Sequence, residues 1–192
     1  MAALRPLSTL AEGVTNQEYQ FPWSRDEILF GPNAGFIEAK KGIPLGVYAA
    51  SGIRPDLVNL SMAPWNNLAN SMGRTDLFYF EENPSRAKII IGQSTKDYSY
   101  TVANPDFKSP YLRCDIYLVN QWIGVITHEL GHTLGFVDFI YKDTDPRDYF
   151  NPKRCDLPDK PIHSIMAQNF IVTPTVLIGP DDGIMLRLAG YV

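Results

Sequence analysis

Residues 126–138 read I-T-H-E-L-G-H-T-L-G-F-V-D, and this stretch determines how the rest of the chain is interpreted. His128 and His132 are four residues apart, so in a helix both imidazoles lie on one face and can bind the same metal ion. Glu129 follows the first histidine and can reach a water on that metal without binding the metal itself. The spacing indicates zinc, a Lewis acid that lowers the pKa of its bound water, whose proton the carboxylate then accepts.

The motif continues past the second histidine. Gly135 allows the left-handed turn that ends a helix, so the chain can fold back and present a third ligand. Asp138 is placed to be that ligand, and carboxylate oxygen is a good ligand for zinc. His163, the remaining histidine, and Asp143 are the alternatives. No glutamate follows Glu129, which argues against a glutamate ligand on a later helix.

The full pattern, H-E-x-x-H-x-x-G-x-x-D, resembles that of the metzincin zinc peptidases, in which a histidine usually stands at the place of Asp138. Ser164-Ile165-Met166 resembles the Met-turn of that clan, which implies that Met166 forms a hydrophobic floor under the histidines. The aspartate is similar to the snapalysin-type secreted bacterial proteases, and the wording H-E-L-G-H-T-L-G-F resembles peptidases with a "HEIGH" signature. Several metzincins carry a tyrosine where this chain has Gln168, so no such tyrosine is expected here.

Composition limits the classes of protein that fit. The 192 residues are 45% hydrophobic, enough for one core or two small subdomains across a cleft. The net charge of -4 and the lack of a basic tract argue against nucleic-acid binding, and no apolar run is long enough for a membrane span. Residues 1–13 lack the apolar core of a signal peptide, which fits an intracellular protein or a trimmed mature form. The family resemblance implies the second, a secreted or extracellular protein whose signal or pro-segment is absent from this chain.

Two groups of residues leave alternatives open. Cys114 and Cys155 either form one bridge or remain free thiols. Asp143, Asp145 and Asp148 could hold a structural calcium ion, but their spacing matches no complete calcium loop. We therefore interpret the segment around these aspartates as a solvated loop.

Apolar patterning predicts the regular elements. The predicted strands are residues 43–50, 77–80, 87–92 and 113–119, with an edge strand at 98–103. A helix begins at Pro55 and continues to about Ala69, because apolar residues that include Leu60 have helical spacing there, and Pro64 is expected to kink or shorten it. A short helix is expected at residues 25–30. The zinc helix is expected from about Asn120, with Trp122 packed in the core.

The end of the chain is expected to form a closing helix over residues 181–191. Asp181 or Asp182 is the expected cap of this helix. The apolar side chains expected to reach the core are Ile184, Leu186, Leu188 and Ala189.

The resemblance implies an α+β, metzincin-like fold. Its mixed, mostly parallel sheet would carry two long helices in the N-terminal subdomain, with the zinc helix at the cleft and a small irregular C-terminal subdomain ending in a helix. We expect a single catalytic domain over 1–192, with an irregular arm at 1–35, an upper subdomain at 36–135 and a lower subdomain at 136–192.

The predicted function is a zinc-dependent endopeptidase that acts as a monomer on protein or peptide substrates. One Zn²⁺ would be held by His128, His132 and Asp138, with Glu129 as general base. One alternative is an aspzincin-like peptidase with a distant ligand, Asp181 or Asp182. The other is a non-catalytic, metal-bound binding protein on a peptidase scaffold.

Overall fold

A five-stranded sheet forms the centre of this computed structural model, which describes residues 21–140, 154–156, 164–167 and 178–192. The strand order is β2-β1-β3-β5-β4. Neighbouring strands run parallel except β4, the edge strand, which is antiparallel to β5. The strands are β1 (Leu45–Ala49), β2 (Phe78–Phe80), β3 (Ile89–Gln93), β4 (Tyr100–Asn104) and β5 (Arg113–Leu118).

Alternate side chains of this sheet build the core. Strand pairing aligns Val47 with Ile89, Ile89 with Cys114 and Cys114 with Ala103, so one buried row crosses four strands. Cys114 in this row is a free, buried thiol, and the side chain of Cys155 lies outside the described residues. Of the two alternatives for Cys114, the structure therefore has the free thiol.

A 17-residue helix, α3 (Pro55–Ser71), packs on the core with Val58, Met62 and Trp65 buried. Pro64 was expected to kink or shorten this helix, and it does not shorten it, since the helix continues for two turns beyond the proline. Burial of the side chains on both sides of Pro64 holds the helix together despite the donor that the proline lacks. Leu60, one of the apolar residues with helical spacing, lies on the outer face of the helix and is 54% exposed.

The zinc-motif helix, α4 (Ile123–Thr133), lies against α3. Trp65 Nε1 donates to the carbonyl of Thr127 at 2.8 Å, and Thr127 Oγ1 donates to the carbonyl of Ser61 at 3.0 Å. The expected core position of Trp122 is wrong, because its side chain is 56% exposed. Trp122 is the N-cap residue, and its extended backbone precedes the helix, so its ring is not on the face that α4 buries.

A second, two-stranded sheet follows α4. Its parallel strands are β6 (Asp138–Ile140) and β7 (Arg154–Asp156). The second of these lies within the segment that the sequence suggested was loop. Asp143, Asp145 and Asp148 lie outside the described residues, so the calcium alternative is not addressed.

The closing helix, α5 (Pro180–Ala189), begins after the N-cap residue Gly179, so neither Asp181 nor Asp182 is the N-cap residue, although Asp182 caps the helix from the third position of a capping box. Asp182 instead lies inside the first turn and accepts a hydrogen bond from Gly179 N at 2.8 Å. Leu186 and Ala189 are buried as expected, whereas Leu188 is partly exposed.

Residues before β1 include two short helices, α1 (Arg25–Ile28) and α2 (Ile37–Lys40). Phe30 N donates to the carbonyl of Gly135, and Val137 N donates to the carbonyl of Ile28, both at 3.0 Å. The segment between α4 and β6 is therefore held by the chain that follows α1.

This arrangement confirms the predicted α+β class, with a mostly parallel five-stranded sheet and its helices. Within the part of the chain that the structure describes, no helix has the length and apolar character needed to span a membrane.

Candidate metal centre

Two histidines and a glutamate occupy the buried face of α4. The ring centroids of His128 and His132 are 4.8 Å apart, which is the separation expected one helical turn apart. Both histidines and Glu129 are at least nine-tenths buried. A helix that buries this many polar side chains needs partners for each of them.

The end of α4 turns the chain back toward those histidines. Gly135 has a φ of +92°, as the motif predicts. Its N–H donates to the carbonyl of His132 at 2.9 Å, and Phe136 N donates to the carbonyl of Gly131 at 3.3 Å. These two bonds form a Schellman motif, which closes the helix and fixes the direction of the chain three residues before Asp138.

Asp138 meets both histidines. Its Oδ1 lies 3.0 Å from His128 Nε2 and 3.3 Å from His132 Nε2. Among the described residues, these three form the group of side chains that could hold a metal ion, with ligand atoms within 4.8 Å of one another. The alternative ligands His163 and Asp143 lie outside the described residues.

Backbone carbonyls fix the orientation of both imidazoles. His128 Nδ1 lies 2.9 Å from the carbonyl of Ile165, and His132 Nδ1 lies 2.8 Å from the carbonyl of Phe136. Each Nδ1 therefore carries the proton that it donates, and each Nε2 faces Asp138. This is the tautomer that histidine adopts when it binds a metal through Nε2.

Met166 is fully buried beneath α4. A Cβ on Gly131 would overlap its sulfur, so the absence of a side chain at Gly131 creates the space that Met166 fills. The Met166 backbone is joined to the residue after Asp138, because Phe139 N donates to the Met166 carbonyl at 3.0 Å. Gln168 lies outside the described residues.

Asp182 holds the Met-turn residues from α5. Its Oδ1 accepts from Ser164 Oγ at 2.6 Å, and its Oδ2 accepts from Ile165 N at 3.0 Å as well as from Gly179. The side chain of Asp182 thus holds Ile165, the residue whose carbonyl orients His128. Asp181, the other distant candidate, is buried in the first turn of α5.

Charge couples His132 and Asp138. Burial lowers the pKa of His132, but the negative charge of Asp138 and its hydrogen bond outweigh burial and raise that pKa to about 9. Burial raises the pKa of Asp138, but the positive charge of His132 outweighs it and holds that pKa well below its ordinary range. A divalent cation that binds here would therefore displace the proton between them.

The donor set fits zinc. Two imidazole nitrogens and one carboxylate oxygen are ligands that zinc accepts, and three protein ligands leave one position for water. The carbonyl partners of both histidines supply the outer contacts that such a site needs. The site can therefore hold zinc with the ligands that the motif predicted.

Sequence reasoning did not identify the partner of Glu129. Thr101 Oγ1, from edge strand β4, lies 2.7 Å from Glu129 Oε2. The alternation of β4 was the available signal, since it places Thr101 on the buried face of the sheet. Its proximity to Glu129 depends on how β4 packs against α4, which the sequence does not give.

Comparison with known proteins found similar solved structures, among them a fish hatching enzyme and myroilysin. No family model and no curated protein sequence matches the chain. High choriolytic enzyme 1, a hatching-enzyme zinc protease from Oryzias latipes (medaka fish), is 18% identical, with a TM-score of 0.47 over 82% of this chain and 94% of its own. Myroilysin is 15% identical, with a TM-score of 0.46 over 76% of this chain and 82% of its own. Both likenesses are too distant to bear on activity.

Proposed function

We propose that this protein is a metzincin-type zinc endopeptidase. The observation that carries the proposal is the convergence of His128 Nε2, His132 Nε2 and Asp138 Oδ1, with each imidazole oriented through Nδ1 by a backbone carbonyl. Histidines that only packed in the core would not need both rings to be oriented in this way, whereas metal ligands do. The extracellular setting implied by the family resemblance goes with this proposal.

Each residue has a separate role in the proposed reaction. His128, His132 and Asp138 would hold one Zn²⁺, which when bound supplies a Lewis acid and lowers the pKa of water. Glu129 accepts a proton from the attacking water as the water oxygen bonds to the carbonyl carbon of the peptide. The same carboxylate passes that proton to the amine as the C–N bond breaks.

Met166 has no charge to contribute and serves the site by packing. Its burial under Gly131 keeps α4 at a fixed distance from the Met-turn residues, whose Ile165 carbonyl orients His128. The histidine geometry therefore depends on the packing of Met166 as well as on the helix.

The test is cleavage of a proteome-derived peptide library by the zinc-loaded protein, with Glu129→Ala and Glu129→Gln in parallel. We expect cuts with the wild type and loss of most turnover in both variants, with zinc retained, because Glu129 is not a ligand. Zinc content measured on the same samples is the control.

Two results would contradict the proposal. Equal cleavage by the Glu129 variants would exclude Glu129 as the base. No cleavage by wild type with stoichiometric zinc would favour the alternative of a metal-bound binding protein.

A further inference from the structure

The carboxylate of Glu129 is held by a residue outside its own helix. Thr101 Oγ1 lies 2.7 Å from Glu129 Oε2 and 3.3 Å from the Glu129 carbonyl oxygen. The hydroxyl has one proton, and the shorter contact to the charged oxygen takes it. Thr101 and Glu129 are both more than nine-tenths buried, so water competes little for this bond.

The position of the hydroxyl follows from the strand. Thr101 pairs with Ile116 of β5, and both side chains lie on the face of the sheet that α4 covers. A β-branched side chain in a strand has few rotamers, so the Thr101 hydroxyl is held in place by its own backbone. Val102, the next residue, is exposed on the opposite face.

We infer that Thr101 is a positioning residue for Glu129, an inference that rests on the function proposed above. Its hydroxyl fixes Oε2 and so sets the orientation of the carboxylate. Oε1 is then the oxygen that accepts the proton from water. A glutamate has three side-chain torsions. Because the hydrogen bond to Oε2 already restricts them, less conformational entropy is lost when the carboxylate is oriented for proton transfer.

This role predicts an effect on turnover without an effect on peptide binding. The Thr101 side chain faces α4, whereas a peptide that pairs with the edge of the sheet would meet the backbone of β4. Replacing the hydroxyl by a methyl group leaves that backbone and the β propensity of the position unchanged. Only the orientation of Glu129 is lost.

The first experiment compares kcat and KM of Thr101→Val and Thr101→Ser in the zinc-loaded enzyme, on a peptide that wild type cleaves. We expect Thr101→Val to lower kcat by about 10- to 100-fold with KM within about twofold, and Thr101→Ser to recover most of the loss. Thr133→Val is the matched control, since it removes a buried hydroxyl that donates to Leu130 of its own helix. We expect its kcat to stay near that of wild type.

The second experiment does not depend on activity. Urea midpoints of the zinc-loaded protein at fixed free zinc are measured for Thr101→Val, Glu129→Ala and the double variant. We expect Thr101→Val to lower the urea midpoint clearly when Glu129 is present. The shift should be much smaller in the Glu129→Ala background, because the partner of the hydroxyl is then absent. Zinc content confirms that each variant remains loaded.

The outcomes separate the two claims. The positioning role would be overturned if the two single-variant shifts of the urea midpoint added up to the shift of the double variant. A kcat of Thr101→Val within twofold of wild type would overturn it as well. Equal loss of kcat in Thr101→Ser and Thr101→Val would overturn it too, because the hydroxyl would then not be the cause. Absence of cleavage by wild type would overturn the proposed function itself, and the positioning role with it.

Discussion

The sulfur of Met166 occupies the space that a Cβ on Gly131 would need. The same Cβ would lie 3.1 Å from Cζ2 of Trp65, so it is confined by α3 on one side and the Met-turn on the other. Both neighbours are fully buried. On this side α4 is therefore packed through a contact between a methionine and a bare stretch of helix backbone.

Gly131→Ala is expected to destabilise the protein. Alanine favours the helix by about 1 kcal/mol, but overpacking costs about 1–3 kcal/mol and here meets Trp65, which has little room to move. Urea denaturation measures the effect. Gly92→Ala is the control, because a Cβ there meets no atom within 4 Å, and its change should stay within about 0.5 kcal/mol.

A double variant tests whether Met166 is the cause. Met166→Ala alone removes a buried side chain and should cost about 2–5 kcal/mol. In Gly131→Ala/Met166→Ala the new methyl enters the vacated space, so the combined loss should be smaller than the sum by about 0.5–3 kcal/mol. Strict additivity would show that the two residues do not share that space.

Gly135→Ala is expected to damage both stability and zinc affinity. A left-handed φ costs an alanine about 1–2 kcal/mol, and the new Cβ would also lie 2.9 Å from the Cβ and carbonyl carbon of Ala34. Gly73→Ala is the matched control, since Gly73 has a φ of +81° but open space around it. Calorimetric zinc titration and urea midpoints should show a larger loss for Gly135→Ala in both. Equal effects would mean that contact with Ala34 does not matter.

The site was predictable wherever one local motif contained the information. His128, His132 and Asp138 lie within one helix and the turn that follows it, so their spacing alone brings them together. Thr101 was not predictable as a partner of Glu129, because 28 residues separate the two and only the packing of β4 on α4 joins them.

The fold, like the site, was predictable where local sequence patterns determine it and not where packing does. The strands were predictable from their apolar runs and β4 was expected as the edge, whereas the order of the other strands was not predicted. The prediction that Trp122 packs in the core was wrong because its hydrophobicity does not show that it precedes the first turn of α4, where its side chain is exposed. Pro64 does not shorten α3, because burial of Met62 and Trp65 outweighs the local cost of a proline.

Asp138→Asn is expected to lower zinc affinity by at least about 100-fold, more than the loss of an outer contact usually costs, because it removes the charged ligand while keeping its size. Competition with a chelator measures the affinity. Asp181→Asn is the control and should bind zinc as wild type does. The reverse pattern, zinc lost from Asp181→Asn and kept by Asp138→Asn, would support the distant-aspartate alternative.

The buried carboxyl of Asp182 gives stability a pH dependence. Burial raises its pKa from an ordinary 3.8 to about 7, against the opposing effect of the hydrogen bonds from Ser164, Gly179 and Ile165. Between these two values the folded protein binds a proton that the unfolded chain does not. The stabilisation by this group is therefore complete below about pH 4 and is lost as the pH rises toward 7.

Asp182→Asn should remove that dependence. The amide imitates the neutral carboxyl, because its oxygen can accept from Ile165 and Gly179 while its NH₂ donates to Ser164 Oγ. We expect wild type to lose stability relative to Asp182→Asn as the pH is raised from 4 to 7, measured as the difference between their urea-derived free energies of unfolding. The other titrating groups are common to both proteins and cancel in that difference. A difference that stays constant with pH would mean that the three donors keep Asp182 ionised throughout, and that hydrogen bonding outweighs burial at this position.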